Sequence, residues 1–121
     1  MIPRGDTAAD VIARLDASLL ARGQTVTLRR YTAPSGTPRP KTDLPVKAFI
    51  RPVEALDIKE LVGNLATSYF EVILSPTDTA ALLPIVRGDK IVFDGKERNV
   101  EMPKPITMAD VLVRLRVLVA G

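Results

Sequence analysis

Apolar residues in the first part of the chain recur at helical spacing. Val11, Ile12, Leu15 and Leu19 share one face, while Asp10, Arg14 and Asp16 point away, which predicts an amphipathic helix from about Thr7 to Arg22. Asp6 or Thr7 can accept from its free N–H groups, Arg22 complements the negative end of the dipole, and Gly23 suits a left-handed stop. From Thr25 the period becomes two. Val26, Leu28 and Arg30 alternate with Thr27, Arg29 and Tyr31, the pattern of a strand, Thr25–Thr32, with one wet face.

Ala33–Pro45 carries Pro34, Gly36, Pro38, Pro40 and Pro45, and predicts an extended loop because proline offers no backbone donor. A second strand is expected over Val46–Arg51, closed by Pro52. In Glu54–Ala66 the positions of Leu56, Ile58, Leu61, Val62 and Leu65 allow a short helix, which Gly63 weakens; the segment also reads as a long loop. Ser68–Leu74 is a third strand. Ser75-Pro76-Thr77-Asp78 opens a short helix, with serine as cap, proline in the first turn and an acid behind it, and Pro84 ends it.

Lys90–Asp94 and Arg98–Met102 form a hairpin around Asp94-Gly95, a pair suited to the positive φ angles of a tight turn. Pro103-Lys104-Pro105 reads as a stiff link. The final strand, Val111–Val119, puts Val111, Val113, Leu115, Val117 and Val119 on one face and Leu112, Arg114, Arg116 and Leu118 on the other. About six strands, an N-terminal helix and one short helix in a single domain, residues 1–121, predict a mainly β fold, α+β by content. A small antiparallel barrel or sandwich is the expected architecture.

Composition narrows the chemistry. The chain of 121 residues has neither Cys nor His, which removes thiolate nucleophiles, zinc–thiolate sites and the usual imidazole base. Its acids fall mostly on turns and caps, and no phosphate-cradling glycine loop, nucleophile elbow or calcium loop is present, so no enzyme activity and no cofactor are expected. The N-terminus has no apolar signal core, and Val111–Ala120 is too short to span a bilayer and carries two arginines, so no membrane association is expected.

The net charge is +3, yet Arg29–Arg51 concentrates Arg29, Arg30, Arg39, Lys41, Lys47 and Arg51 against Asp43 alone. With Tyr31 as a stacking ring, Arg29, Arg30, Lys47 and Arg51 make a candidate basic face for nucleic acid; a solvated surface is the plainer reading. Arg87-Gly88-Asp89 is read as a turn ahead of a strand rather than as an adhesion motif. Signals for assembly are the proline-rich loop, the Glu54–Ala66 segment and a last strand apolar on both faces, which a small domain covers with its own helix or with a partner.

The order of parts carries a resemblance. It runs from a helix to Thr25–Arg30, a loop, Val46–Ile50, a second long loop and Phe70–Ser75. Pro76-Thr77-Asp78 follows, then Arg87-Gly88-Asp89-Lys90-Ile91-Val92-Phe93-Asp94-Gly95. This resembles the small head–tail joining, or stopper, proteins of long-tailed phages, over roughly Thr7 to Val119. One departure is Arg98, where such hairpins often carry an aromatic; Val100 is kept.

The resemblance implies a β-barrel assembling as a ring, a hexamer favoured over a dodecamer. The ring would lie below the portal and its adaptor, complete the DNA-filled head and offer a surface to a tail terminator or tail tube protein. It implies residence in the neck of the virion, reached from the host cytoplasm. By position, residues 33–45 and 54–66 match the loops that order on assembly in such rings, making Arg39, Lys41, Asp43, Glu54, Lys59 and Glu60 interface candidates. Another tail or baseplate component, or a nucleic-acid-binding barrel, are the alternative readings.

Overall fold

The computed structural model describes residues 7–53 and 69–121. Helix α1 (Ala8–Arg22) is followed by β1 (Gln24–Tyr31), β2 (Lys41–Pro52) and β3 (Tyr69–Leu74). A short helix α2 (Pro76–Thr79) runs into a 3-10 turn (Ala80–Leu82), and β4 (Lys90–Phe93), β5 (Lys96–Met108) and β6 (Val111–Ala120) complete the chain. The six strands close into an antiparallel barrel in the order β1-β2-β3-β6-β5-β4. Of the two expected architectures, the barrel is the one formed.

Alternation builds the interior. Val26 and Leu28 of β1, Val46 and Ala48 of β2, Val72 and Leu74 of β3, Ile91 and Phe93 of β4, Val100 of β5 and Leu115, Val117 and Val119 of β6 form one buried cluster. Each of these runs places every second residue inside, as the pleat requires. Closure also removes most of the unpaired edges that an open six-stranded sheet exposes.

The helix lies outside, against β6 and β2, with Leu15 and Leu19 buried beneath it. Thr7 and Asp10 form a reciprocal capping box, each side chain accepting the other's backbone N–H at 3.1 Å. Gly23 ends the helix in extended backbone, φ −75°, and not in the left-handed conformation expected. Glycine is needed there for space: a Cβ would lie 2.6 Å from the Leu19 carbonyl and 3.1 Å from that of Ala48.

Two readings of the sequence are corrected by the structure. β2 starts at Lys41, so Lys41–Pro45 is strand and the connection after β1 is shorter than expected. Cross-strand register with β1 wins here over proline's preference for loops, and Thr32 N–H extends the ladder to the Pro40 carbonyl at 2.9 Å. The supposed link Pro103-Lys104-Pro105 lies inside β5. Beyond Asn99 that strand has passed the end of β4 and pairs only with β6, so its prolines occupy a free edge where a missing donor costs no ladder bond. β3 begins at Tyr69, while Ser68 and the Glu54–Ala66 segment lie outside the described residues.

Because β3 is short, β2 above Phe49 and β6 above Leu115 have no strand between them. Helix α2, which touches both, fills the gap, and Leu82 and Ile85 behind it join the core. Asp16 of α1 ties this corner down, accepting from the Ser75 hydroxyl and, at 2.8 Å, from that of Thr77.

Two tight turns use positive φ. Asp94 and Gly95 (φ 53° and 74°) join β4 to β5 as expected, and Ala109 and Asp110 (φ 50° and 63°) join β5 to β6. Alanine is poorly suited to that region, where its Cβ crowds the backbone at a cost of roughly 1–2 kcal/mol, partly offset by the entropy glycine loses on folding. Ala109→Gly is therefore expected to stabilise the fold by up to about 1 kcal/mol in urea unfolding.

Candidate functional site

Strand directions sort the connections between two ends of the barrel. At the upper end, where β1, β3 and β5 finish, lie the β1–β2 loop, the α2 corner and the Ala109–Asp110 turn. At the lower end lie the Asp94–Gly95 turn and the anchors of residues 54–68, where Val53 N–H donates to the Tyr69 carbonyl at 3.1 Å. The two segments singled out for partner contact thus leave the barrel at opposite ends.

The upper end is organised by Arg30, which continues the inward face of Val26 and Leu28. Its Nε and Nη2 donate to the two oxygens of Asp89 at 2.9 and 2.7 Å, and Nη2 also reaches the carbonyls of Leu82 and Pro84 at 3.1 and 2.9 Å. Asp89 is buried, its side chain 5% exposed, and accepts from Val86 N–H at 3.0 Å as well. Asp89 is thus a buried carboxylate held in a bidentate pair whose guanidinium is 31% exposed. Arg87-Gly88-Asp89 is consequently a structural turn: Gly88 takes φ 100°, and its acid points inward.

Arg29, one residue earlier, points outward. Its Nε donates to Asp43 at 2.8 Å and its Nη1 to Glu97 at 2.9 Å, and the Tyr31 hydroxyl donates to Glu97 at 2.5 Å. The bond from Tyr31, then Arg29, holds Glu97 below the usual carboxylate range despite partial burial; the Arg29 bond does the same for Asp43. Above them the Arg39 guanidinium lies 4.1 Å over the Tyr31 ring, and its Nε donates to the Ala33 carbonyl at 2.7 Å. Cation–π attraction and this bond fold the loop back on its own strand.

The candidate basic face is therefore not a continuous cationic surface. Arg29 and Arg30 face opposite sides and each is matched by carboxylates. Arg51 pairs with Glu71 at 3.1 Å, and Lys47 borders a shallow depression shared with Asp78. Lys41 is exposed at the start of β2, and Asp43 is committed to Arg29. Glu54, Lys59 and Glu60 lie outside the described residues.

Sequence reasoning missed Glu71, Glu97 and Asp89 as partners, since their arginines lie 20 to 68 residues away along the chain. The available signal was parity. Glu71 faces outward between Arg51 on β2 and Arg116 on β6, opposite to the buried Val72. Burial raises its carboxyl, and the bonds from Arg51 and Arg116 outweigh that, leaving it lowered overall.

On the barrel wall α1 and the sheet leave an open groove of about 440 Å³. Val11, Leu15, Phe49 and Ile73 give it an apolar lining, with Arg14, Ser18 and Arg114 alongside. At the lower end, Arg98 takes the inward position beside Val100. Its guanidinium lies 3.8 Å over Phe93 and 5.1 Å from the Phe70 ring centroid. The guanidinium thus packs as a flat group against two rings.

Known protein families offer no match to the chain, and no curated protein matches it significantly. No helix among the described residues is long and apolar enough to cross a membrane.

Two outcomes test these ion pairs. Asp89→Ala leaves the partly exposed Arg30 without its carboxylate and the Val86 donor without its acceptor, and is expected to lower stability by about 2 kcal/mol in chemical unfolding. The double variant Arg30→Met, Asp89→Leu should recover a good part of that loss, because no charge is left unpaired. For Glu71, a folded-state pKa below the ordinary 4.5 means that its ionised form stabilises the fold fully above that pH. This contribution is lost as pH falls through the lowered value. Urea midpoints should therefore hold down to about pH 5 and drop below it, with a flatter decline in Glu71→Gln.

Proposed function

We propose that this chain is a structural subunit of a tailed-phage neck, forming a ring that closes the DNA-filled head and receives the tail. The observation that carries the reading is the placement of the two partner-directed connections at opposite ends of a closed barrel, at Thr32–Pro40 and between Val53 and Tyr69. A subunit built this way can meet a portal or adaptor protein on one side and a tail terminator or tail tube protein on the other. The order of helix, strands and Arg87–Gly95 hairpin, in which the chain resembles head–tail joining proteins, supports the same reading.

The arrangement of polar groups favours a scaffold over a catalyst. Asp43, Glu71, Asp89 and Glu97 are each engaged by arginine, so these carboxylates bind strands together. Acid–base work calls instead for a group with a free proton-accepting or donating position near a substrate. The same pairing weakens the nucleic-acid alternative, since phosphate would have to compete with carboxylates already in place for Arg29, Arg30 and Arg51. In the ring, DNA is a passenger in the channel. Each interface joins two different faces of neighbouring subunits and closes by rotation, with six copies favoured.

The test is a loop deletion that respects the strand boundary. Removing Gly36–Arg39 keeps Lys41–Pro52 intact and should leave a folded monomer. Particles assembled with it should accumulate as DNA-filled heads and separate tails in electron micrographs. A normal yield of infectious, tailed particles would overturn the assignment.

A further inference from the structure

The outer wall of the barrel carries a second basic surface, assembled by register from strands far apart in sequence. Phe49 of β2, Ile73 of β3, Arg116 of β6 and Lys104 of β5 stand in one outward row across four adjacent strands. One row higher, Arg114 of β6 faces Ile106 of β5. The wall is therefore apolar on its β2–β3 side and cationic on its β6–β5 side. Helix α1 overhangs the apolar side, where Val11, Leu15, Phe49 and Ile73 line the groove of about 440 Å³ and Arg114 stands alongside.

The charges on this wall are not balanced by the fold. Lys104 and Arg116 are direct cross-strand partners of like sign, an arrangement that weakens a sheet. Glu71 serves Arg116 and Arg51 together, one carboxylate for two guanidiniums. Among the described residues neither Lys104 nor Arg114 forms an ion pair. Lys104 is exposed, and 43% of the Arg116 side chain is open to solvent. The groove is accessible as well, with Val11, Phe49 and Ile73 only half-buried under the helix. Its volume lies in the range of clefts that hold ligands, roughly 300–1,000 Å³.

We propose that this wall is a docking surface for an acidic amphipathic segment of another protein. The apolar side chains of the segment enter the groove, and its carboxylates meet Arg114, Arg116 and Lys104. Charge complementarity selects the acids, since a carboxylate takes two parallel bonds from a guanidinium and relieves the repulsion between Lys104 and Arg116. The groove selects a protein over a nucleic acid. A phosphate backbone could meet the three cations but gains nothing from the apolar floor beside them, whereas an apolar segment removes that floor from water. This surface lies on the barrel wall, apart from the two ends to which the neck reading assigns partners, so the inference stands or falls separately from that reading.

The test uses the full chain in solution and two synthetic peptides. In one, leucines at helical spacing are separated by glutamates; in the other, glutamine replaces every glutamate. Binding to the isotope-labelled chain is followed by amide NMR shifts at low ionic strength. The glutamate peptide should bind saturably and about tenfold tighter than the glutamine peptide, with shifts at Val11, Phe49, Ile73 and Arg114. The double variant Lys104→Glu, Arg114→Glu should lose the glutamate peptide and take up a lysine version instead. Its urea midpoint should equal or exceed the parent's, because Lys104→Glu turns a like-charged pair with Arg116 into an opposite one. If the double variant does not fold, Lys104→Gln carries the test, since that exposed side chain has no described ion pair to lose, and should weaken the glutamate peptide alone.

Several results would overturn the proposal. Absence of binding, or equal affinity for the glutamate and glutamine peptides, removes the role of the cations. Shifts confined to another surface, or affinity unchanged in the variants, place the contact elsewhere. Tighter binding of a duplex DNA oligonucleotide at the same ionic strength assigns the cations to phosphate.

Discussion

The Arg30–Asp89 pair is the constraint on which the upper half of the molecule depends. β1 and β4 are the first and last strands in the barrel order, and their mutual pairing is short, Thr27–Arg29 against Lys90–Val92. Three residue pairs make a weak seam for closing a sheet. The bidentate bond just above it extends the closure by a side-chain contact, and its other donors and acceptors reach Leu82, Pro84 and Val86. One ion pair thereby fixes the seam, the crossing from α2 to β4 and the turn before β4.

Outside the barrel, charge plays a related role. Arg29 joins β1 to its neighbour β2 and, across β4, to β5, and Glu71 joins β2 and β6 across β3. Surface pairs of this kind contribute little individually, roughly 0–1 kcal/mol each. Their use is in specificity, because a slip of one residue would turn each partner to the opposite face. Three of the six cations in Arg29–Arg51, namely Arg29, Arg30 and Arg51, are in this light the positive half of a register code, with Asp43 inside the stretch and Glu71, Asp89 and Glu97 beyond it.

The two ends then differ in character. The upper end is tied by side chains to its own loop and corner, with Arg39 over Tyr31 and Asp16 on Ser75 and Thr77. The lower end holds a cation packed against two rings, with a donor that meets no acceptor among the described residues. A domain with unlike ends is suited to joining unlike neighbours, which is the physical content of the proposed role in a neck.

Local features were legible in the sequence because their causes lie within a few residues. The helix with its cap at Thr7, the Ser75-Pro76 helix start, the Asp94-Gly95 turn and the period of two in β1 and β6 are set by hydrogen bonds and side-chain alternation along one stretch of chain. They sufficed for a six-stranded β fold with an outer helix. Pro45, Pro103 and Pro105 misled, since a proline excludes a ladder donor without revealing whether that side of the strand has a neighbour. Only the closed barrel decided which edges were free, which acid met which arginine and that Arg98 would pack against Phe70 and Phe93. Those outcomes follow from pairing between strands far apart in the chain, and no local pattern specifies that register.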